Sequence, residues 1–268
     1  KNEVDSLPLL KRIFAFYDQT TQDVEGIERN VYMKFRYDTK RRNPTMWIIP
    51  TMYPLAKGNR NMMMESYNRL RYKSVTSYDN QQQLVWGTVP HNRKAMTPIL
   101  EFLTPNIYSA TIYRKHTLSP FHKSNRHYYQ YSIINQGNGY SLLTFRPRVR
   151  HNTQLIRGTA YVENKNGRVT MTMLKGEFDG IEFNTEVIMG SEGALAILPD
   201  LCFTHAKFNF FGNKVFAEFE AAYNCPTTLP DSLRNVQDRA MLDSMRPSPL
   251  VGSERAIYNQ YDSVHNVS

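Results

Sequence analysis

The sequence predicts an α+β fold, one large curved antiparallel sheet with helices near both termini. Three observations predict it. Between Tyr128 and Met189 short runs alternate apolar and polar residues, the period of a strand that buries one face. Turn sequences separate the runs, Asn135-Gln136-Gly137-Asn138-Gly139 and Asn164-Lys165-Asn166-Gly167, whose Asn and Gly supply the positive φ of tight hairpins. Tyrosine and phenylalanine, 17 and 14 in number, fall within the alternating tracts, where half-buried pleated surfaces favour them.

The elements follow in order. Pro8 stands just inside a helix over Leu9 to Tyr17, with Leu9, Leu10, Ile13, Phe14 and Tyr17 on one stripe and Asp5 or Ser6 as its cap. Arg29 to Tyr37 sets Val31, Met33, Phe35 and Tyr37 against Asn30, Lys34 and Arg36, which makes the first strand. Trp47-Ile48-Ile49 and Met62-Met63-Met64 read as strands, interrupted by Pro50, Pro54 and Gly58, and Arg69 to Val75 alternates again. From Asp79 to Phe121 the pattern weakens under Pro90, Pro98, Pro105 and Pro120, and short helices are expected near Gln81 to Trp86 and Pro98 to Leu103. The meander comes next. Three further strands are expected over Ala194 to Leu198, Phe203 to Phe210 and Lys214 to Ala222. After Pro226 and Pro230, Asp231 to Met245 reads as a helix with Asp231 as cap, and Ser253 to Val264 as another. The expected division is a sheet domain over 1–225 and a helical C-terminal lead-in over 226–268.

A chain of 268 residues with 41% hydrophobic content is expected to fold around a core and not to be disordered. No apolar run approaches the roughly 20 residues of a membrane-spanning helix, so the segment reads as soluble. It opens at Lys1 without initiator methionine or signal sequence, and reads as a piece of a longer product. Net charge is +9, compatible with acidic partners, yet no RNA-binding motif, zinc-finger spacing or recognition helix is present, and nucleic acid is not an expected partner. Lys40-Arg41-Arg42 reads as a solvated turn before Asn43-Pro44. Arg146, Arg148 and Arg150, around Pro147, are the candidate contacts for an anion. Cys202 and Cys225 are compatible with a disulfide or with two buried thiols.

Catalytic and metal chemistry find little support. His116, His122 and His127 match no zinc spacing, and Lys115, Lys123 and Arg126 between them repel a cation; no metal or cofactor is expected. His205 alternates with Phe203 and Lys207 as a sheet residue. Glu177, Asp179, Glu182 and Glu186 surround two glycines, but Glu182, Asn184 and Glu186 alternate with Ile181, Phe183, Thr185 and Val187 as the wet face of a strand. Neither a Gly-x-Ser-x-Gly elbow nor a phosphate-cradling loop occurs. The methionines offer a sharper possibility, because thioethers line adaptable apolar cavities, although core packing explains them more often. The candidate ligand-binding residues are Met62, Met64, Phe145, Met171 and Met173.

The ordered landmarks Ser119-Pro120, Tyr128-Tyr129-x-Tyr131, Tyr140 to Arg148 and Gly158 to Val162 resemble an uncharacterised family of Bacteroidetes outer-membrane proteins. The run Arg246-Pro247-x-Pro249-Leu250 with Glu254, Tyr258, Asp262 and Ser263 resembles that family's lead-in to its barrel. The resemblance implies a carboxypeptidase-regulatory-like domain, a middle domain and a C-terminal membrane β-barrel, this chain covering the middle. The order of helix, strand and meander is similar to the lipoprotein-localisation carriers, which implies an incomplete barrel around a helix and raises the prospect of an apolar groove. The expected function is a non-enzymatic module at the periplasmic face of the outer membrane, binding a hydrophobic or lipidic ligand or an envelope protein, next to a covalently linked barrel. The alternatives are a hydrolytic carbohydrate-active enzyme using carboxylates near Asp179, and a structural spacer.

Overall fold

A computed structural model describes residues 6–20, 23–48, 52–89, 103–113, 116–178 and 180–265. The first strands are β1 (Glu28–Arg41), β2 (Asn61–Ser74) and β3 (Ser77–Gly87). The meander supplies β4 (Tyr129–Gly137), β5 (Tyr140–Pro147), β6 (Arg157–Glu163), β7 (Val169–Phe178) and β8 (Ile181–Met189), and β9 (Pro199–Phe210) and β10 (Asn213–Ala222) complete the set. All ten lie in one antiparallel sheet, in the order β3-β2-β1-β10-β9-β8-β7-β6-β5-β4. Helices near the termini are α1 (Ser6–Gln19), α3 (Arg239–Met245) and α4 (Gly252–His265), with a single turn, α2 (Tyr53–Ala56), between β1 and β2. This is the α+β class expected. The hairpin signals hold as well, with positive φ at Gly137, Asn138, Gly139 and Gly167.

Four local expectations fail, each for an identifiable reason. Gln81 to Trp86 is strand rather than helix, because β3 pairs with β2 and its amides are spent on the backbone of residues 229–235; the helix propensity of glutamine is overridden by tertiary bonding. Trp47 and Ile48 belong to a 3₁₀ turn, Pro44–Ile48, initiated by Pro44, with Ile49 outside the described residues. Ala194 to Ile197 is a second 3₁₀ turn, Gly193–Ile197, that feeds β9. Of Asp231 to Met245 only Arg239–Met245 is helical, and its cap is Asp238, whose Oδ1 accepts the Met241 N–H at 2.9 Å. The helix expected over Pro98 to Leu103 lies almost wholly outside the described residues.

The chain divides into two compact units. In the unit of Lys1–Ile27, Tyr72–Tyr78 and Thr104–Phe203, α1 buries Leu9, Leu10, Ile13 and Phe16, and Phe14 meets Tyr131 edge-on at 5.7 Å. Residues 104–113 and 116–121 cover the remaining inner face of β4–β8. Tyr108 accepts the Val169 N–H at 3.1 Å, Tyr113 donates to Thr185 Oγ1 at 3.2 Å, and Phe121 packs on Phe145 at 5.4 Å. These aromatic rings bury large areas while their hydroxyls find partners, so the face is filled without orphaned polar groups at those positions.

In the unit of Glu28–Arg71, Asp79–Leu103 and Thr204–Ser268, β2 is buried on both faces over Met62 to Leu70. Met62 and Met64 stand opposite Tyr37 and Phe35 on β1. The other face carries Met63, Glu65, Tyr67 and Arg69, and the chain from Cys225 onward packs over it. Leu229 and Leu242 join Tyr32, Tyr67 and Leu84, while Leu250, Ile257 and Tyr258 join Met63. The edge of β3 is capped by the same segment, through Val85 N–H to Val236 O at 3.0 Å and Val236 N–H to Gln83 O at 3.0 Å. An edge strand so covered offers no template for foreign strands. Cys202 and Cys225 are both buried and are not joined in a disulfide.

Candidate functional site

The residues singled out in the sequence do not form one site. Met62 and Met64 are fully buried on β2, whereas Phe145 lies on the inner face of β5 against Phe121 and Tyr129. Met171 and Met173 sit on the opposite, outer face of β7, where Met173 stays half exposed. Arg146 and Arg148 come together beside β4, Arg146 Nε donating to Gln130 Oε1 and Arg148 Nε to the Tyr129 carbonyl, both at 2.8 Å. They line an open cleft of about 610 Å³ with Gln130, Tyr131, Ser132 and Thr144. Arg150 is exposed in the turn after β5. Asp179 lies outside the described residues, Glu177 and Glu182 face each other across β7 and β8, and Glu182 and Glu186 occupy the outer face of β8.

The outer face of β4–β8 is the surface that stands out. Strand register places Ile134 opposite Leu142, Leu142 opposite Tyr161, Tyr161 opposite Met171 and Met171 opposite Ile188. These five residues make one apolar row running straight across five strands, about 19 Å at the usual interstrand spacing. Their inward neighbours Ile133, Leu143, Ala160, Val162, Thr172 and Val187 are buried, so the row is a second apolar face on strands whose core face is already satisfied. Ile134 is 55% exposed, Tyr161 41%, Met173 50% and Ile188 36%. The next row in register is Ser132, Thr144, Thr159, Met173 and Glu186, which edges the apolar row with hydroxyls. Beyond it stand Arg146, Arg157 and Lys175, all exposed. A contiguous apolar stripe with a polar rim is the anatomy of an interaction surface.

Of this row only Met171 is among the candidate ligand-binding residues of the sequence. A usable signal was present: Ile133-Ile134, Leu142-Leu143 and Val187-Ile188 put apolar residues on both faces at one register. A tract read for its core face alone treats the second apolar residue as noise.

The second unit holds a buried polar cluster around Glu65. Its carboxylate accepts hydrogen bonds from Arg246 at 2.5 and 2.7 Å, from Tyr258 Oη at 2.6 Å and from Tyr32 Oη. Burial pushes the Glu65 pKa up, but the hydrogen bonds from Arg246, Tyr258 and Tyr32 outweigh it and hold the group below its ordinary value. Burial, and then the anionic Glu65, raise Tyr32 and Tyr258 well above the usual phenol range. Near neutrality Glu65 is therefore ionised and the two phenols keep their protons, which suits a clamp. A polar cleft of about 670 Å³ lies on the same unit, lined by Arg69, Arg71 and Arg234 with Asp79, Asp231 and neighbouring amides. Its arginines are engaged: Arg69 pairs with Asp231 and donates to the Leu229 carbonyl, and Arg71 pairs with Glu28.

Residues 9–225 match the model of a family of unknown function, DUF5686, and the chain belongs to that family. No curated protein matches the chain. Among solved structures it is similar to a LolA superfamily protein from Nitrosomonas europaea, at 10% identity and a TM-score of 0.28, over 83% of this chain and 95% of that one. It is similar to a DUF1329 family protein from Desulfovibrio piger, at 10% identity and 0.27, over 90% and 100%. It is also similar to a chain of the MucA/MucB complex of Pseudomonas aeruginosa, at 8% identity and 0.23, over 81% and 93%.

Proposed function

We propose that this DUF5686 domain is a non-enzymatic docking module that binds a protein partner on the outer face of β4–β8. The observation that carries the reading is the exposed apolar row from Ile134 to Ile188, which has no role in the core of its own unit. A lipid carrier would leave the inner face open, and in this unit that face is occupied by α1, Tyr108, Tyr113 and Phe121. Hydrolysis near Asp179 finds no support in Glu182 and Glu186, which line a strand face and not a cleft. The placement of the module in a bacterial envelope, beside a membrane barrel, belongs to the same proposal and is supported by the sequence landmarks from Ser119-Pro120 to Asp262-Ser263.

The test is a photo-activatable residue placed in the producing cell at Tyr161 or Met173, and at exposed Lys73 as control. A discrete protein adduct at the first two positions and none at Lys73 is expected. Adducts to lipid only, or equal labelling at all three, would overturn the reading.

A further inference from the structure

A second exposed apolar surface lies at one end of β1 and β10, in the other unit, and its chemistry differs. The 3₁₀ turn Pro44–Ile48 presents Trp47 at 46% exposure and Ile48 at 78%, and the β9–β10 hairpin presents Phe211 at 80%. The two are bolted together. Asn213 Oδ1 accepts the Asn43 N–H at 2.7 Å, Asn43 Nδ2 donates to the Phe211 carbonyl at 2.6 Å, and Asn213 Nδ2 donates to Thr45 Oγ1 at 2.8 Å. The hairpin turns on Phe211 and Gly212 at φ of 43° and 79°. That backbone suits Asn or Gly, and a phenylalanine there holds an unfavourable conformation while leaving its ring in solvent. Neither core packing nor turn chemistry explains the choice.

Cations are concentrated in the same segments. Lys40, Arg41, Arg42, Lys57, Arg60 and Lys214 belong to the same tip, and no Asp or Glu occurs over residues 39–64 or 201–217. Arg41 and Lys214 even stand opposite each other in the β1/β10 register, a like-charge pairing that sheets normally avoid. Arg42 donates to the Gly58 carbonyl at 2.7 Å and Arg60 to the Lys40 carbonyl at 3.2 Å, so their charge is held in place without being neutralised by those bonds. Lys57 Nζ rests 5.0 Å from the Trp47 ring centre, and Lys214 Nζ 5.4 Å from that of Phe216. Tryptophan, phenylalanine and isoleucine projecting through a collar of Lys and Arg match the boundary between lipid headgroups and acyl chains.

We infer that the tip formed by Lys40–Ile48, Lys57–Arg60 and Phe211–Lys214 is a membrane-surface site that takes the anionic phospholipid headgroups of a bilayer, with Trp47, Ile48 and Phe211 entering the interface. The inference does not depend on the docking reading.

Sedimentation of the purified chain with phosphatidylcholine vesicles, with and without about 30% phosphatidylglycerol, tests it. Binding at least about tenfold tighter to the anionic vesicles is expected, weakened by high salt, with a blue shift of tryptophan emission that disappears in Trp47→Phe. Phe211→Asn suits the turn and preserves folding, and should weaken vesicle binding severalfold; Arg41→Glu with Lys214→Glu should abolish it. Equal binding to neutral vesicles, no binding, or indifference to Phe211→Asn would overturn the inference. So would binding to heparin as tight as to vesicles with no emission shift, which would mark a general polyanion site.

Discussion

Tyr258 donates its hydroxyl to Glu65 at 2.6 Å across 193 residues of sequence, and Arg246 completes the contact by binding both carboxylate oxygens. Strand β2 and the last helix are thereby joined through one buried anion. Removing a partner from such a pair leaves an uncompensated charge, which typically costs about 3–5 kcal/mol. Arg246→Met should destabilise the chain by that order in urea unfolding, and Glu65→Gln by less, since the amide keeps part of the hydrogen bonding. Arg246→Met combined with Glu65→Leu should recover much of the loss.

Acid should act on the same clamp. The folded-state pKa of Glu65 lies below its ordinary value of 4.5, so the unfolded chain takes up the proton first. The stabilisation is then fully present above the ordinary value and is lost as the pH falls through the depressed one. The stability gap between wild type and Glu65→Gln should therefore be constant from neutrality to about pH 5 and shrink below it, as read by urea midpoints across pH.

Gly167 should tolerate no side chain. Its φ is 77°, and a Cβ there would lie 2.4 Å from the backbone of Arg12 in α1. Gly167→Ala combines left-handed strain of about 1–2 kcal/mol with a clash that pushes α1 off the turn after β6. A loss of at least about 2 kcal/mol is expected, with faster amide exchange in α1.

The β meander was legible because period two and the Asn/Gly turns are local signals, carried by residues such as Tyr129, Ile133 and Gly139. What escaped depended on distant partners. The glutamines of β3 read as helical until residues 229–236 supply the backbone they bond to. Asp238 caps α3, while Asp231, the cap the sequence suggests, lies outside the helix and pairs with Arg69. Glu65 carries no local signal in the sequence, since nothing near it in the chain marks a buried acid and both its donors on the C-terminal segment arrive late. The outer apolar row escaped for a different reason: its register across five strands exists only once the strands are paired.

The exposed apolar side chains of that face should be dispensable for folding. Changing Tyr161 and Met173 to Thr should leave the unfolding midpoint within the equivalent of about 0.5 kcal/mol, because neither side chain belongs to the core. The same double variant should bind less of an environment-sensitive apolar dye and show less self-association by light scattering.

Phe211→Asn should raise stability by about 1 kcal/mol, since asparagine accepts the left-handed conformation that phenylalanine resists. A thermal melt reads this directly. Natural retention of a residue that weakens its own turn would be unexplained by folding alone.

The separation of Glu65 from Arg246, 181 residues, also sets a clock. At synthesis rates of about 5–20 residues per second, the acid is made roughly 10–35 s before its counter-ion. Throughout that interval β1 and β2 cannot bury their second face. Until the stretch beyond Pro226 is made the second face of β2 has no cover, and a chain cut short in that stretch would leave Glu65 exposed where its seal should be.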